Sequence, residues 1–197
     1  SGKTLGIVGI GNIGTRLARI CGTGFSCKVL AYDPYLTAQE ISQRVAQAVG
    51  FDELLQSADI VSVHTPLTTQ THNLFDSDAF THMKKGAIFV NAARGSIHDE
   101  DALADALASG HLGGAGLDVW DSEPPAKEHR LLHLPNVVAT PHIAGYTSDS
   151  LANMAEYAAT QLLQIFAGEP PPRPVNPEVL PRFQSRFAQI LGEPSKT

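Results

Sequence analysis

The sequence has 197 residues, of which 43% are hydrophobic and 17% charged. This is enough apolar material to bury the core of one domain with an appendage, and too little charge for a disordered tail. The formal net charge of −6 argues against binding to nucleic-acid phosphates, and no apolar run reaches the length of a bilayer span, so we expect neither nucleic acid nor membrane as a partner.

Short apolar runs and helical patterns alternate along the first 140 residues. The patterns predict strands at 4–10, 28–33, 59–64, 87–93, 114–119 and 136–140, and helices at 13–21, 37–50 and 99–110. The strand runs are continuously apolar, which is typical of a sheet covered on both faces. Strands that alternate with helices predict a doubly wound parallel sheet of the α/β class.

The longest helical pattern covers residues 147–168. Thr147 or Ser148 can cap its start, and Gly168 can end it. The segment that follows is rich in proline, which predicts extended chain. A short amphipathic stretch then precedes a polar terminus. The pattern therefore separates an α/β domain from a carboxyl-terminal helix and tail.

Three glycines follow the first predicted strand with the spacing G-x-G-x-x-G. In a dinucleotide-binding turn, Gly9 permits the tight turn, Gly11 lets a pyrophosphate approach the backbone, and Gly14 lets the helix pack against the strand. Free N–H groups at the helix start, at Asn12 and Ile13, would face the phosphates. The position between a strand and a helix is the one that this mechanism requires.

Asp33 ends the second predicted strand. A carboxylate at this position accepts hydrogen bonds from the ribose hydroxyls and repels a 2′-phosphate, which favours NAD over NADP. The alternative is an ordinary glycine-rich turn with a capping aspartate.

Three further residues are candidates for catalysis. Arg94 follows a strand, where a guanidinium can grip a carboxylate and polarise a carbonyl. His142 also follows a strand and can act as a general base near neutral pH. Glu123 lies in a proline-rich loop, where its carboxylate can orient an imidazole. Each has an ordinary alternative: a surface arginine, a half-buried histidine and a solvated acid.

The sequence resembles the D-isomer-specific 2-hydroxyacid dehydrogenases from about Gly2 to Leu180. The resemblance rests on stretches that occur in the order typical of the family: "GKTLGIVGIGNIG" (2–14), "YDP" (32–34), "ADIVSVHTPLT" (58–68), "KKGAIFVNAARGSI" (84–97), "GAGLDVWDSEPP" (114–125), "NVVATPHIAGYT" (136–147) and "PVNPEVL" (174–180). So many blocks in one order are far more specific than the glycine motif alone.

The resemblance implies a role for each candidate. Arg94 would bind the carboxylate and carbonyl of an oxo acid, and His142 would exchange the hydroxyl proton as hydride moves to or from NAD. Glu123 would be the carboxylate partner of His142. Asp118 would contact the nicotinamide carboxamide; the alternative is a strand-end aspartate that caps a turn.

The resemblance also implies further cofactor contacts in small or rigid residues, although these could be plain loop formers. They are Thr65 and Pro66 beside the adenosine, Ala92 and Ala93 beside the nicotinamide ribose, and Gly145; Arg94 and His142 are also expected near the cofactor. We expect no metal site. Among the other histidines, His98 precedes an acidic helix start, and we expect it at the surface.

At the level of the whole chain, the resemblance implies a Rossmann NAD-binding domain at 1–146. A helix and returning segment at 147–180 would belong to a mostly absent substrate domain, followed by a short tail at 181–197. We therefore expect a truncated form that binds NAD but turns over little substrate; the alternative is a natural single-domain homologue. The family further implies a homodimer through the cofactor domain and a cytoplasmic location.

The activity implied is hydride transfer between NAD(H) and a small D-2-hydroxy acid or 2-oxo acid. Related enzymes act on hydroxypyruvate, glyoxylate, 3-phosphoglycerate, lactate and bulkier oxo acids, so the substrate stays open. One alternative is a regulatory protein of the same fold, similar to NAD-sensing corepressors, which keeps the Arg-Glu-His set. A second is a structural or binding domain that has kept the fold but lost the chemistry.

Overall fold

One parallel sheet organises the first part of the chain in the structure, a computed structural model that describes residues 2–191. Its strand order is β3-β2-β1-β4-β5-β6-β7, and every neighbouring pair is parallel. The predicted doubly wound α/β sheet is confirmed. The strands are β1 Thr4–Val8, β2 Lys28–Tyr32, β3 Gln47–Ala48, β4 Ile60–Val63, β5 Ile88–Asn91, β6 Gly114–Leu117 and β7 Val137–Ala139.

Helices make the crossover connections of the parallel sheet from β1 to β6, and a loop with a 3₁₀ turn at Arg130–His133 connects β6 to β7. Most of the predicted boundaries lie within two residues of the observed ones. None of the helices in the described part of the chain is long and apolar enough to cross a membrane. The helices are α1 Asn12–Arg19, α2 Ala38–Gln43, α3 Phe51–Ser57, α4 Ser77–His82, α5 Glu100–Ala108, α6 Ser148–Phe166 and α7 Leu180–Leu191.

Apolar side chains cover the sheet on both faces. Consecutive strand residues point to opposite faces, and Ile7 and Val8 of β1, both fully buried, belong to two separate core clusters. The larger cluster contains edge-to-face contacts of the Phe89 ring with Phe75 and Phe80. Burial on both faces explains why the strand runs are continuously apolar.

The helix predicted at 37–50 is wrong in its second half. Helix α2 ends at Gln43, Val45 has a left-handed φ of 65°, and Gln47–Ala48 forms β3 at the sheet edge. The guanidinium of Arg44 donates to the Ile10 carbonyl at 2.7 Å, which ties the end of α2 to the turn after β1. Pairing with β2 satisfies backbone groups that a helix would have satisfied internally.

The chain divides into two compact units, Ser1–Ala144 and Gly145–Thr197. The first contains the sheet and α1–α5, and the second contains α6 and α7. Thr147 caps α6, because its hydroxyl accepts from the Ser150 amide at 3.1 Å. The predicted boundaries at 146 and 180 stay predictions, and residues 192–197 of the predicted tail lie outside the described residues.

Candidate active site

A crevice opens where the strand order reverses, between β1 and β4. The carboxyl ends of these strands diverge, because the chain leaves β1 toward β2 and leaves β4 toward β5. This is the place where parallel α/β sheets bind ligands. A cavity of about 470 Å³ lies here, lined by Gly9 and Gly11 after β1, residues 32–35 after β2 and residues between 64 and 74 after β4.

The three glycines of the turn at 9–14 have different surroundings. Gly9 has a φ of 87°, and a Cβ on it would lie 2.8–2.9 Å from Thr65 and the His64 backbone. A Cβ on Gly14 would lie 2.5 Å from the Gly9 carbonyl oxygen. Gly11 has a φ of −70°, and a Cβ on it would meet nothing within 4 Å. Gly9 and Gly14 therefore allow close packing, whereas Gly11 leaves room on the crevice side.

The chemistry of this crevice fits a dinucleotide. The first bond within α1 runs from the Thr15 amide to the Gly11 carbonyl at 2.9 Å, so the amides of Asn12 and Ile13 have no partner inside the helix. No acidic residue lies in the first turn of α1 to repel a phosphate. At the other wall, the buried Thr65 Oγ1 lacks a hydrogen-bond partner among residues 2–191. Pro66 follows Thr65 in the same wall.

Asp33 joins two loops of this crevice. Its Oδ2 accepts from the Ile10 amide and its Oδ1 accepts from the Tyr35 amide, both at 3.1 Å. Each carboxylate oxygen can accept a second hydrogen bond, so the group is still available to ribose hydroxyls. Across the cavity, the Tyr35 hydroxyl donates to Gln70 Oε1 at 2.7 Å.

The structure brings His142 and Glu123 together. His142 Nδ1 lies 2.8 Å from Glu123 Oε2, and both side chains are about half exposed. The hydrogen bond from His142, with that from the Trp120 amide, lowers the pKa of Glu123 below its usual value. Glu123 is therefore ionised at neutral pH. As an ionised carboxylate can only accept, His142 Nδ1 carries the proton and its Nε2 is the free ring nitrogen.

Asp118 anchors the loop that carries His142. It is 5% exposed, and its carboxylate accepts from the Thr140 hydroxyl at 2.5 Å and from the Ile143 and Ala144 amides at 2.8 Å. Burial favours a raised pKa for Asp118, but these hydrogen bonds outweigh burial and the pKa is lowered. These contacts are of the kind expected for the alternative drawn from the sequence, a strand-end aspartate that caps a turn; that they hold the His142 loop was not predicted. The predicted contact with the nicotinamide carboxamide stays a prediction.

Arg94 lies at the same edge of the sheet. Ala92, Ala93 and Arg94 follow β5, Glu123 lies in the loop after β6, and His142 follows β7. Since β5, β6 and β7 are neighbouring parallel strands, all three loops leave the carboxyl edge. The exposed Arg94 guanidinium donates to the Ala93 carbonyl at 2.5 Å, which leaves most of its five N–H donors for a ligand.

Gly95 connects the Arg94 turn to the Glu123 loop. A Cβ on Gly95 would lie 2.1 Å from the Trp120 carbonyl carbon and 2.6 Å from the Asp121 amide nitrogen. The Trp120 amide in turn donates to Glu123 Oε1 at 3.2 Å. Sequence reasoning missed this contact; its only sequence feature is a glycine directly after the arginine.

Gly145, a predicted cofactor contact, and His64 have simpler surroundings. Gly145 begins the second unit, where its carbonyl accepts from the Thr147 amide at 3.2 Å. His64 lines the crevice and lies 2.9 Å from the Ser62 hydroxyl, and burial lowers its pKa. No set of three His, Cys, Asp or Glu side chains that could hold a metal ion occurs among the described residues.

The surface position expected for His98 is wrong. Its side chain is fully buried and packs against the Phe89 ring, with ring centroids 5.5 Å apart. The segment that contains His98 pairs with the chain at Phe75, which draws it into the core.

Comparisons with known proteins agree with this geometry. Residues 1–144 match the family described as D-isomer specific 2-hydroxyacid dehydrogenase, NAD binding domain. The D-3-phosphoglycerate dehydrogenase of Bacillus subtilis is 40% identical over 190 residues, which are 96% of this chain and 35% of that protein. Glyoxylate/hydroxypyruvate reductase B of Citrobacter koseri is 45% identical over 178 residues, which are 90% of this chain and 55% of that protein.

A solved structure shows the same architecture. The D-lactate dehydrogenase of Lactobacillus jensenii with NAD⁺ superposes with a TM-score of 0.81 at 36% identity, covering 88% of this chain and 55% of that one. The chain thus spans between about one third and just over half of the relatives it matches. On the family match and the glycine turn together, the chain belongs to the D-isomer specific 2-hydroxyacid dehydrogenases, and residues 1–144 are their NAD-binding domain.

Proposed function

We propose that the protein transfers hydride between NAD(H) and a small D-2-hydroxy acid or the corresponding 2-oxo acid. The observation that carries the proposal is the 2.8 Å contact between His142 Nδ1 and Glu123 Oε2. The pair stands at the same sheet edge as the glycine turn and Arg94. Oxidation of a hydroxy acid needs a base for the hydroxyl proton and a cation for the carboxylate, and this edge offers both.

His142 is the proposed acid and base. When bound, the nicotinamide supplies the chemistry of accepting or donating the hydride. The free Nε2 of His142 takes the hydroxyl proton during oxidation and returns it during reduction. Glu123 holds the ring through Nδ1 and stabilises the positive charge that protonation at Nε2 creates. Asp118 holds the His142 loop in place and is also our proposed contact for the nicotinamide carboxamide.

Arg94 is the proposed substrate-binding residue. Its guanidinium can bind a carboxylate through two parallel hydrogen bonds and polarise the neighbouring carbonyl. Loss of hydride leaves a growing carbonyl dipole at that carbon, which a fixed cation stabilises.

The crevice after β1, β2 and β4 is the proposed binding site of the adenosine and pyrophosphate of NAD. We place the pyrophosphate at Gly11, Asn12 and Ile13, where open space and helix amides coincide. We place the adenosine ribose at Asp33, with Thr65 and Pro66 on the opposite wall. Ala92 and Ala93 are proposed to flank the nicotinamide ribose, and Gly145 is proposed as a further cofactor contact.

The substrate class rests on the names of the relatives. 3-Phosphoglycerate, glyoxylate, hydroxypyruvate and lactate are all 2-hydroxy or 2-oxo acids. We also propose a homodimer and a cytoplasmic location on the basis of the family resemblance. No observation on the described residues favours the regulatory alternative over the enzyme.

The reaction is tested by a panel assay of the complete natural protein that carries this sequence. We expect reduction of at least one small 2-oxo acid, measured by loss of NADH absorbance, and slower reduction with NADPH because Asp33 repels a 2′-phosphate. The D isomer of the product should be oxidised in the reverse assay. Absence of turnover across the whole panel would contradict the proposed activity.

Cofactor binding is tested with Gly11→Ala. We expect this change to weaken NAD binding to the chain at least about tenfold, equivalent to ~1.4 kcal/mol, because the new methyl group occupies the space left for the pyrophosphate. The fold should be unaffected, since a Cβ on Gly11 meets nothing within 4 Å. Calorimetric titration with NAD provides the measurement.

Gly50→Ala is the matched control. Gly50 also caps a helix, has a φ of −68°, and a Cβ on it would meet nothing within 4 Å, but it does not line the crevice. NAD affinity should be unchanged in this variant. Equal affinity in both variants would mean that the pyrophosphate does not lie at Gly11.

A further inference from the structure

Two fully buried polar side chains lie beneath the turn that carries Arg94. Asn91 ends β5 and His98 follows the turn, and both have no exposed surface. Asn91 Nδ2 donates to the Arg94 carbonyl at 2.8 Å and lies 3.0 Å from His98 Nδ1. The Ala93 amide donates to Asn91 Oδ1 at 2.9 Å. The asparagine thus binds both ends of the turn, and the histidine binds the asparagine.

We propose that Asn91 and His98 are positioning residues that fix the Arg94 turn, and that His98 does so as a neutral imidazole with its proton on Nε2. The part that concerns substrate binding rests on the proposed function. The part that concerns the tautomer of His98 stands on the hydrogen bonds alone.

The tautomer follows from one unambiguous donor. A backbone amide can only donate, so the Asn91 side-chain atom that contacts the Ala93 N–H must be the amide oxygen, Oδ1. The other end of the side chain is therefore the NH₂ group, and its two hydrogens point to the Arg94 carbonyl and to His98. His98 Nδ1 must accept, which leaves the proton of a neutral ring on Nε2.

The surroundings of His98 keep the ring neutral. Burial lowers the pKa of His98 to about 4, although Glu100, the Gly95 backbone and Asp99 act in the opposite direction; His129, from the segment before β7, adds to the lowering. The Phe89 ring packs against the imidazole. In this tautomer the proton on His98 Nε2 is buried and lacks a hydrogen-bond partner among residues 2–191, a cost that the hydrogen bond from Asn91 to Nδ1 offsets. A second proton on Nδ1 would face the Asn91 NH₂ group, donor against donor.

The consequence lies in the backbone of Arg94. Its φ of −151° and ψ of 145° are extended, and this backbone sets where the arginine side chain begins. If the acceptor at His98 were lost, one Asn91 hydrogen would be buried without a partner, which is costly in a protein interior. Rotation of the amide in response would release the Ala93 amide and the Arg94 carbonyl.

The test compares His98→Asn with His98→Leu in the 197-residue chain. An asparagine oxygen occupies nearly the position of a histidine Nδ1, so His98→Asn keeps the acceptor, whereas His98→Leu fills the space without one. Amide hydrogen exchange, measured by NMR, should be about tenfold faster at Ala93 in His98→Leu and unchanged in His98→Asn. Ring ¹⁵N shifts of His98 in the parent chain should show protonation at Nε2 only, down to about pH 5.

The activity readout uses the complete protein. His98→Leu should raise KM for the 2-oxo acid about tenfold with the NADH dissociation constant unchanged, and His98→Asn should restore KM. A proton on Nδ1, titration of His98 near its usual value, or equal Ala93 exchange in both variants would overturn the proposal. A parent protein without turnover would count against the proposed function, whereas the exchange and ¹⁵N results would still decide this inference.

Discussion

Replacement of His142 by asparagine is expected to lower kcat of the complete protein about 10²–10⁴-fold, the usual contribution of a general acid or base. Without the imidazole, the site loses the ring nitrogen, Nε2, that accepts the hydroxyl proton as hydride leaves. Asparagine is the suitable replacement because His142 has a φ of 56°, and asparagine tolerates left-handed backbone better than most residues. The loss of activity should therefore not come from strain in the loop.

Steady-state rates and NADH binding of the same variant provide the measurement. The NADH dissociation constant should stay within about twofold, since the hydrogen bonds that the Ile143 and Ala144 amides donate to Asp118 hold the loop independently of the ring. His82→Asn, at the exposed end of α4, is the control and should keep full activity. A kcat of His142→Asn close to that of the parent would remove His142 from the mechanism.

Gly95→Ala is expected to lower the free energy of unfolding by about 3 kcal/mol or more, the upper range for overpacking. The new methyl group would overlap the Trp120 carbonyl carbon at 2.1 Å and its oxygen at 2.2 Å. These are backbone atoms, so no side chain can rotate away. Either the Arg94 turn or the Glu123 loop must shift, and we expect KM for the oxo acid to rise as well.

Urea denaturation of the chain at neutral pH provides the measurement. Gly24→Ala is the control, because a Cβ on Gly24 would meet nothing within 4 Å, and its unfolding free energy should change by no more than about 1 kcal/mol. Equal stability of the two variants would show that the loops after β5 and β6 are not in fixed contact.

Strands β1, β2 and β4 could be predicted because their central residues are buried on both faces, whereas β7, in which Val138 is 70% exposed, was predicted from its apolar run alone. The run around Ile7 and Val8 has no polar residue, because the residues that point to either face of the sheet enter an apolar core. The second half of the helix predicted at 37–50 failed for a nonlocal reason. Residues 47–48 pair with Leu30 and Ala31 of β2, and local sequence carries no information about an open sheet edge.

The candidate site was predictable only in part. The glycine spacing and Asp33 follow from one local mechanism, and Arg94, Glu123 and His142 could be named as strand-end residues. Their grouping depended on the family resemblance, because the partners lie far apart along the chain.

Buried polar contacts escaped prediction altogether. His98 stands in the polar stretch "SIHDED", which is typical of a surface, yet pairing at Phe75 buries it. The hydrogen bond from Asn91 to His98 likewise depends on tertiary packing. So do the bonds that the His142 loop donates to Asp118, whose partners the sequence alternative of a turn-capping aspartate did not specify.

The hydrogen bonds of Asp33 limit how cofactor preference can be redesigned. The carboxylate that would discriminate between the two dinucleotides also holds the Ile10 amide at 3.1 Å, in the residue between Gly9 and Gly11. Exchange of this aspartate for a neutral or basic residue, the obvious route to an enzyme that accepts NADP, would remove the acceptor that shapes the phosphate loop. A successful redesign must therefore supply a substitute acceptor for that amide before it alters charge at the ribose.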